Sequence, residues 1–333
     1  MTTSLPAPAP ERTRAALLLQ RYGVIVALAA LVLFGALRYE NFLSSYNVYS
    51  VLSYNSMFGL VALGMAFVIM TGGIDLSVGS VAAFASVVAA LLSPFGLWPA
   101  VLGAVAAAAL LGLINGIVIA YLNVLPFIAT LAMLLAARGL ALMFARDQSV
   151  SVDYDHGFTT LGQGTTVGGV PYTAVLLFVA FAIGALVLRY TPFGRHVLAI
   201  GGNEEAARLM GLRVERTLVT VYVLSGALAG LAGVILASQF GAGQPTEGLG
   251  WELTAIAAVV VGGTLLTGGQ GSVALTLVGV LLLGLIFNIL NFENGRGTIS
   301  LSAYWQSVIR GAFLLAVVVL QNALTRGRHA SSA

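Results

Sequence analysis

The chain is dominated by long apolar runs separated by short polar segments. One of them, from Trp98 to Leu122, carries no charged side chain over 25 residues. A run of this length crosses the roughly 30 Å of hydrocarbon in a bilayer as an α-helix. Charged residues make up only 8% of the chain, against about a quarter in a soluble domain. The sequence therefore predicts an all-α integral membrane protein.

The apolar runs predict about ten transmembrane helices. The runs that begin at Val78 and Glu252 are short for a full crossing, so we expect some helices to be broken or tilted. The predicted spans are Ala15–Leu37, Val51–Met70, Val78–Leu92, Trp98–Leu122, Pro126–Phe144, Tyr172–Tyr190, Leu218–Phe240, Glu252–Leu266, Ser272–Leu290 and Ala303–Leu320.

The segments around the spans define the predicted domain organisation. Residues 1–14 are rich in Pro and Ala, which is typical of a short disordered arm. No small-residue cleavage site leads from the first apolar run into a soluble domain, so this run is interpreted as an uncleaved helix. We expect a transmembrane domain over residues 15–322, a long inner loop at 191–216, and a cytoplasmic tail at 323–333.

The distribution of arginine predicts the orientation, because short cytoplasmic loops carry an excess of positive charge. All 15 basic residues are arginine. With both termini in the cytoplasm of a bacterial inner membrane, only Arg38, Arg146 and Arg296 fall outside, while Arg138 and Arg310 lie within spans. Ten arginines then lie on the cytoplasmic side: Arg12, Arg14, Arg21, Arg189, Arg195, Arg208, Arg213, Arg216, Arg326 and Arg328.

A weak internal repeat suggests that the chain consists of two related halves. Thr71-Gly72-Gly73 ends one apolar run before Gly79-Ser80-Val81 opens the next, and Thr267-Gly268-Gly269 precedes Gly271-Ser272-Val273 in the same way. Interrupted helices at corresponding points of two halves indicate a transport pathway. Chance similarity in a chain rich in Gly, Ser and Val is the competing explanation.

The first segment with chemistry of its own surrounds Asp75, the only acidic residue between Glu40 and Asp147. A carboxylate in a membrane must be paired, capped or hydrated because an isolated buried charge is costly. Ser77 and Ser80 are candidates to cap the helix that follows. Two interpretations remain open, a polar element beside a substrate path and a structural turn.

The second such segment lies in the inner loop, where the sequence predicts a short helix. Asn203 is a good N-cap, Glu204 and Glu205 suit the positive end of the helix dipole, and Gly211 suits a left-handed C-cap. The small Ala206 and Ala207 would permit close contact with a partner. Docking into a partner protein and a surface helix without a partner are the two interpretations.

Several function classes are excluded by what the chain lacks. Without lysine it has no Walker A motif, and without cysteine it has no thiolate chemistry. His156, His196 and His329 are far apart in sequence, so no metal or acid–base cluster is predicted. The arginines are scattered rather than gathered on one face, which argues against nucleic-acid binding. We expect a non-catalytic membrane protein without a metal site.

These segments resemble signature regions of the sugar-import ABC permease family, the class that includes ribose, galactose and xylose permeases. The likeness runs from about Asn47 to Leu320. Within the family, Arg208–Gly211 and Gly263–Gly269 look most like a galactofuranose-type subunit. Thr254 departs from the family pattern, which has Asp there. The matching stretches are Gly72-Gly73-Ile74-Asp75-Leu76-Ser77-Val78-Gly79, Asn115-Gly116, Pro126–Leu131 with Arg138-Gly139, Gly201–Gly211 and Ala255–Thr264.

The resemblance implies the permease subunit of an ATP-driven sugar importer. Two permease subunits, identical or paralogous, would form the pathway in the lipid bilayer. Separate ATPase subunits would bind ATP and Mg²⁺, and a periplasmic binding protein would deliver a monosaccharide such as ribose or galactofuranose. The residues implied for coupling to the ATPase are Gly201, Gly202, Asn203, Glu204, Glu205, Ala206, Ala207 and Gly211.

The predicted pathway is lined by polar side chains of the apolar runs. A helix–helix hydrogen bond is the alternative role for each of them. The candidates are Asp75, Ser77, Asn55, Asn115, Asn288, Asn291 and Gln306. The rival function is an ion-coupled secondary transporter of small polar solutes, which needs ionisable relays inside the membrane. The sequence contains only four candidate relays, which are Asp75, Arg138, Glu252 and Arg310. Of these, Glu252 is expected at the outer edge of its span.

Overall fold

The computed structural model describes residues 14–295 and the isolated positions 305, 308, 309, 311, 312 and 315. The predicted arm, the cytoplasmic tail and most of the span at 303–320 therefore lie outside the described residues, as does Gln306. The helices are α1 (Arg14–Arg38), α2 (Ser45–Met70), α3 (Val78–Leu92), α4 (Leu97–Tyr121), α5 (Pro126–Ala145), α6 (Thr160–Gln163), α7 (Tyr172–Tyr190), α8 (Pro192–Gly202), α9 (Glu204–Leu209), α10 (Val214–Phe240), α11 (Trp251–Val261) and α12 (Val273–Gly295).

Seven helices of the described residues are long and apolar enough to cross a membrane. They are α2, α4, α5, α7, α10, α12, and α3 extended by the 3₁₀ turn at Ser93–Phe95. Two further apolar helices are shorter, α11 and the part of α1 from Gly23 to Arg38. Each of the first nine predicted spans coincides with one of these helices, which confirms the helical membrane fold.

The centre of the bundle is formed by α2, α3, α4 and α10, which pack through small residues. A Cβ added at Gly112 of α4 would lie 2.3 Å from the carbonyl oxygen of Tyr222. A Cβ at Gly233 of α10 would lie 2.2 Å from the carbonyl oxygen of Ala82. Glycine at these positions lets the helix backbones touch, which is how membrane helices gain packing energy without a hydrophobic drive from water.

The two ends of the bundle carry different structures. At one end, the α8–α9 end, the segment between α7 and α10 folds into the two short helices that name it. At the opposite end, β1 (Val150–Ser151) pairs antiparallel with β2 (Ala242–Gly243). The N–H of Asp153 donates to Ser93 Oγ at 2.7 Å, so the loop 146–171 is tied to the end of α3.

Non-helical backbone interrupts the bundle at three places, residues 71–77, 241–250 and 262–272. The predicted span Glu252–Leu266 is instead the helix α11, which ends at Val261. Eleven residues rise only about 16 Å, roughly half of a bilayer core. Thus α11 is a half-helix, and the expectation that some helices are short or broken is confirmed.

Candidate functional site

The predicted short helix of the α8–α9 end is present as α9, with the predicted caps. Asn203 Oδ1 accepts a hydrogen bond from the N–H of Ala206 at 2.8 Å, which satisfies one of the free N–H groups of the first turn. Gly211 has φ +80°, the left-handed conformation that ends a helix. Arg208 connects α9 to α10 because it forms ion pairs with Glu204 and Glu215.

These ion pairs lie at the protein surface, where all three side chains are partly exposed. Hydrogen bonds to Glu204 and Glu215 raise the pKa of Arg208 above its usual value. Arg208 therefore stays charged at neutral pH, and its two ion pairs attach α9 to the first turn of α10.

The exposed surface of α9 differs from the predicted one. Ala207 is fully buried and packs with Ile200 and Val214, so it holds the loop together and does not face a partner. The exposed apolar side chains are Leu209 and Met210, which are 84% and 69% exposed. The sequence suggested these two residues only as part of the likeness to a galactofuranose-type subunit, and it did not predict that they form an exposed apolar pair.

The end of α8 contacts two helix interruptions through backbone alone. A Cβ on Gly201 would lie 1.9 Å from the carbonyl oxygen of Met70 and 2.5 Å from the nitrogen of Gly269. The N–H of Gly269 donates to that same Met70 oxygen at 3.0 Å. A Cβ on Gly268 would lie 2.7 Å from the nitrogen of Gly72. We call this contact the glycine junction (Gly72, Gly201, Gly268 and Gly269 with Met70).

The glycine junction brings together the two copies of the predicted repeat. One copy follows α2 and the other precedes α12, and both meet the loop that carries α9. Such packing transmits displacement because no flexible side chain lies between the backbones. The segment that carries α9 is therefore in direct backbone contact with both helix interruptions.

Asp75 lies at the centre of a buried hydrogen-bond network. Its Oδ1 accepts from the hydroxyl of Ser77 at 2.6 Å and from the N–H of Ser77 at 3.0 Å. Its Oδ2 accepts from the hydroxyl of Ser225 on α10 at 2.8 Å. Asn115 Nδ2 donates to Ser77 Oγ at 3.1 Å. The structure thus joins three predicted pathway residues, and it adds Ser225, which is 150 positions from Asp75.

The same network changes the role expected of Ser77. Its side chain does not cap α3 but donates to Asp75. Both oxygens of Asp75 accept hydrogen bonds within the protein, and the side chain is only 1% exposed. The geometry matches the structural turn more closely than an open polar lining.

The other predicted pathway residues lie apart from Asp75. Asn288 of α12 exchanges hydrogen bonds with Asn47 of α2 at 2.8 and 3.2 Å. Asn55 Nδ2 donates to the carbonyl of Val51 at 2.7 Å, and the residue lines a small pocket between α2, α11 and α12. Asn288 thus joins α12 to α2, whereas Asn55 bonds within α2, and neither belongs to the Asp75 network.

A cavity of about 260 Å³ lies beside α9. Thr71 to Gly73, the connection between α4 and α5, and the side chains of Glu204, Arg208 and Tyr222 line it. The hydroxyl of Tyr222 is buried and has no hydrogen-bond partner among the described residues. The cavity therefore presents a polar group directly behind the α8–α9 end.

The segment 241–250 is the main feature that the sequence did not predict. It descends along α3 from Gly243, next to Val87, to Gly248, next to Gly79. At 1.5 Å per residue, Gly79 lies about 20 Å from the end of α3 at Leu92. The segment thus enters the membrane-spanning region as non-helical backbone, which is tolerated only where protein buries it or water reaches it.

Arg138 of α5 holds this segment. Its Nη1 donates to the carbonyl oxygens of Pro245 and Glu247. The carboxylate of Glu252 also lies deep in the bundle, since a Cβ on Gly79 would lie 2.9 Å from its Oε2. Glu252 was expected at the outer edge of a span, but it lies deep in the bundle at the start of the half-helix α11.

Among the described residues, no group of three or more His, Asp and Glu side chains is placed to hold a metal ion. The features of the site are therefore a polar break inside a membrane bundle and a surface helix joined to it. Both are parts that a transport pathway requires.

Comparison with known proteins gives the family. A family model described as "Branched-chain amino acid transport system / permease component" matches residues 47–318. The ribose import permease protein RbsC of Bacillus subtilis (strain 168) is 40% identical over 311 residues, which cover 91% of this chain and 92% of that protein. No solved structure matches the chain.

Two arabinose permeases are similar as well. The L-arabinose transport system permease protein AraH of Escherichia coli (strain K12) is 40% identical over 90% of this chain and 89% of its own length. The L-arabinose ABC transporter permease protein AraH of Azospirillum brasilense is 36% identical over 97% of this chain and 94% of its own. Permease components are the non-catalytic membrane subunits of transport systems. Because the family match covers most of the chain, the chain belongs to this family of transport-system permease components.

Proposed function

We propose that the chain is the permease subunit of an ATP-driven importer that moves a monosaccharide across the bacterial inner membrane. The similar proteins are named for ribose and L-arabinose, two neutral pentoses. Pentoses are therefore the first substrates to test. Galactofuranose, which the sequence motifs suggested, is the second candidate.

The observation that carries the proposal is the glycine junction. An importer must link ATP hydrolysis in one subunit to opening of a pathway in another. Here Leu209 and Met210 are exposed at the end of the surface helix α9. The helix α8, which directly precedes α9, contacts Met70 and Gly269 through Gly201. In our proposal an ATPase subunit binds α9 through Leu209 and Met210, and the junction passes its movement to the pathway.

The remaining partners follow from this assignment. The α8–α9 end faces the cytoplasm, where ATPase subunits bind ATP and Mg²⁺. A periplasmic sugar-binding protein docks at the opposite end, on the face formed by β1, β2 and the loop 146–171. A second permease subunit, the same or a paralogue, completes the pathway. The arginine excess around residues 189–216 supports this orientation.

The test is reconstitution of the chain in liposomes with its ATPase and its sugar-binding protein. Uptake of ribose, L-arabinose and galactofuranose is measured together with ATP hydrolysis. We expect hydrolysis to be stimulated only by binding protein loaded with the transported sugar. Uptake that proceeds without the ATPase and follows a proton or sodium gradient would instead establish an ion-coupled secondary transporter.

The contribution of α9 is tested in the same system. Replacement of Leu209 and Met210 by Ser should weaken co-purification of the ATPase, since it removes the exposed apolar contact. Phe95, which is 71% exposed near the opposite end, provides the control Phe95→Ser. Equal ATPase recovery from both variants would show that α9 is not the docking helix.

A further inference from the structure

We propose that Arg138 and Glu252 form a binding site for adjacent hydroxyl groups of a sugar, about halfway along the membrane-spanning bundle. The inference rests on the proposed function, and it names the residues and the kind of ligand. It is carried by an arginine whose donors are only partly used.

The position of Arg138 is unusual for a charged residue. It lies twelve residues after Pro126 and seven before Ala145 in α5. At 1.5 Å per residue these are about 18 Å and about 10 Å from the two ends of the helix. A charge at that depth is costly in lipid, so an intramembrane arginine marks a pathway or a binding site.

The structure satisfies one side of the guanidinium and leaves the other unsatisfied. Nη1 donates to two carbonyl oxygens of the segment 241–250. Nε and Nη2 are buried, and neither has a hydrogen-bond partner among the described residues. These two nitrogens form one edge of the planar group, whose parallel N–H bonds suit two neighbouring oxygen atoms.

Acceptors for hydroxyl protons lie within electrostatic range of the guanidinium. The carboxylates of Glu247 and Glu252 both interact electrostatically with Arg138, although the arginine bonds to backbone carbonyls rather than to them. Glu252 stands in the first turn of α11, where the helix dipole favours a negative group. A sugar hydroxyl both accepts and donates, so Arg138 and Glu252 offer complementary groups.

The surroundings indicate that water and a solute reach the site. The side chains of Thr246 and Glu247 are exposed, yet their segment lies within the membrane-spanning region. Lipid would not accept an exposed carboxylate at this depth. We infer that these side chains face the pathway.

The charges at the site select a neutral ligand. Two acidic side chains, Glu247 and Glu252, accompany one arginine, so acidic groups outnumber basic ones at the site. A sugar phosphate or another anion would be repelled, whereas a neutral sugar with vicinal hydroxyls would replace the missing partners of Nε and Nη2. The ligand class is therefore a neutral polyol, as an unmodified pentose is.

The natural absence of cysteine permits a direct test. In the complete reconstituted transporter, Thr246→Cys supplies a single thiol beside the site. We expect a water-soluble thiol reagent to label it, and millimolar ribose or L-arabinose to slow the labelling. The control is Leu135→Cys, which replaces an apolar side chain of α5 that is 67% exposed. This thiol should not react.

The role of Arg138 is then tested by adding Arg138→Lys to Thr246→Cys. Lysine keeps the charge but loses the paired donors. Since the ammonium group can still donate to the carbonyl oxygens that hold the segment, we expect labelling without sugar to continue at its usual rate. About tenfold more sugar should be needed to slow it, in keeping with the loss of a hydrogen bond from a charged donor. A structural role alone would change the labelling rate without sugar and leave the protecting concentration unchanged.

Two results would overturn the inference. One is a Thr246→Cys thiol that does not react in an active transporter, and the other is sugar protection that Arg138→Lys leaves intact. Either result is compatible with sugar-stimulated ATP hydrolysis, so the proposed function would stand. Sugar protection without any ATPase stimulation would leave the binding site in place and remove the proposed energy source.

Discussion

At the residue scale, Asp75 shows how the chain keeps a carboxylate inside the membrane-spanning bundle. Two serines donate three hydrogen bonds to its oxygens, and Asn115 supports one of these serines. The sequence predicted that Asp75 would be capped because it stands alone in an apolar region. It did not predict Ser225, because a serine 150 positions away in another apolar helix carries no signal.

Replacement of Asp75 by Ala should destabilise the protein by about 2–4 kcal/mol, since several buried donors lose their acceptor at once. Apparent melting temperature in detergent measures the change. Asp155→Ala, on an exposed loop residue, is the control and should change stability by less than about 0.5 kcal/mol. Equal melting of the two variants would show that the network contributes nothing to stability.

At the element scale, the glycine junction leaves no room for a side chain at Gly201 but leaves room for one at its neighbour Gly202. A Cβ on Gly201 would overlap the Met70 carbonyl oxygen, whereas a Cβ on Gly202 meets no atom within 4 Å. Gly201→Ala should therefore separate α8–α9 from the helix interruptions, and Gly202→Ala should not. The family resemblance implied both glycines for coupling, and the structure gives them different contacts.

The measured quantity is sugar transported per ATP hydrolysed in liposomes. We expect Gly201→Ala to reduce this ratio about fivefold or more, the lower range of coupling energies between sites, while ATP hydrolysis continues. Gly202→Ala should match the unmodified protein. A normal ratio in Gly201→Ala would mean that the movement reaches the pathway by another route.

The helices themselves were largely predictable, and the re-entrant segment was not. Apolar runs give helix positions directly, because lipid demands helical backbone. The residues from Gly241 to Gly250 contain Pro, Thr and four Gly, the composition of an ordinary surface loop. Their depth comes from contact with α3 and Arg138, which are more than a hundred positions away in the sequence.

At the scale of the whole molecule, function depends on which end of the bundle faces the cytoplasm. The arginine count predicts that the α8–α9 end does. Single cysteines in the cysteine-free chain test this prediction. Met210 and Tyr154 are suitable positions, because they are 69% and 60% exposed and lie at opposite ends.

A maleimide that does not cross membranes is applied to intact cells and then to lysed cells. We expect it to label Tyr154→Cys in intact cells and Met210→Cys only after lysis. The reverse pattern would place α9 outside the cell, where no ATP is available. No ATPase could then bind α9 and move the glycine junction. With the expected pattern, the ATPase contact lies at the cytoplasmic surface, the glycine junction lies next to it, and the Arg138 site lies deeper in the membrane. This is the order that coupled import requires.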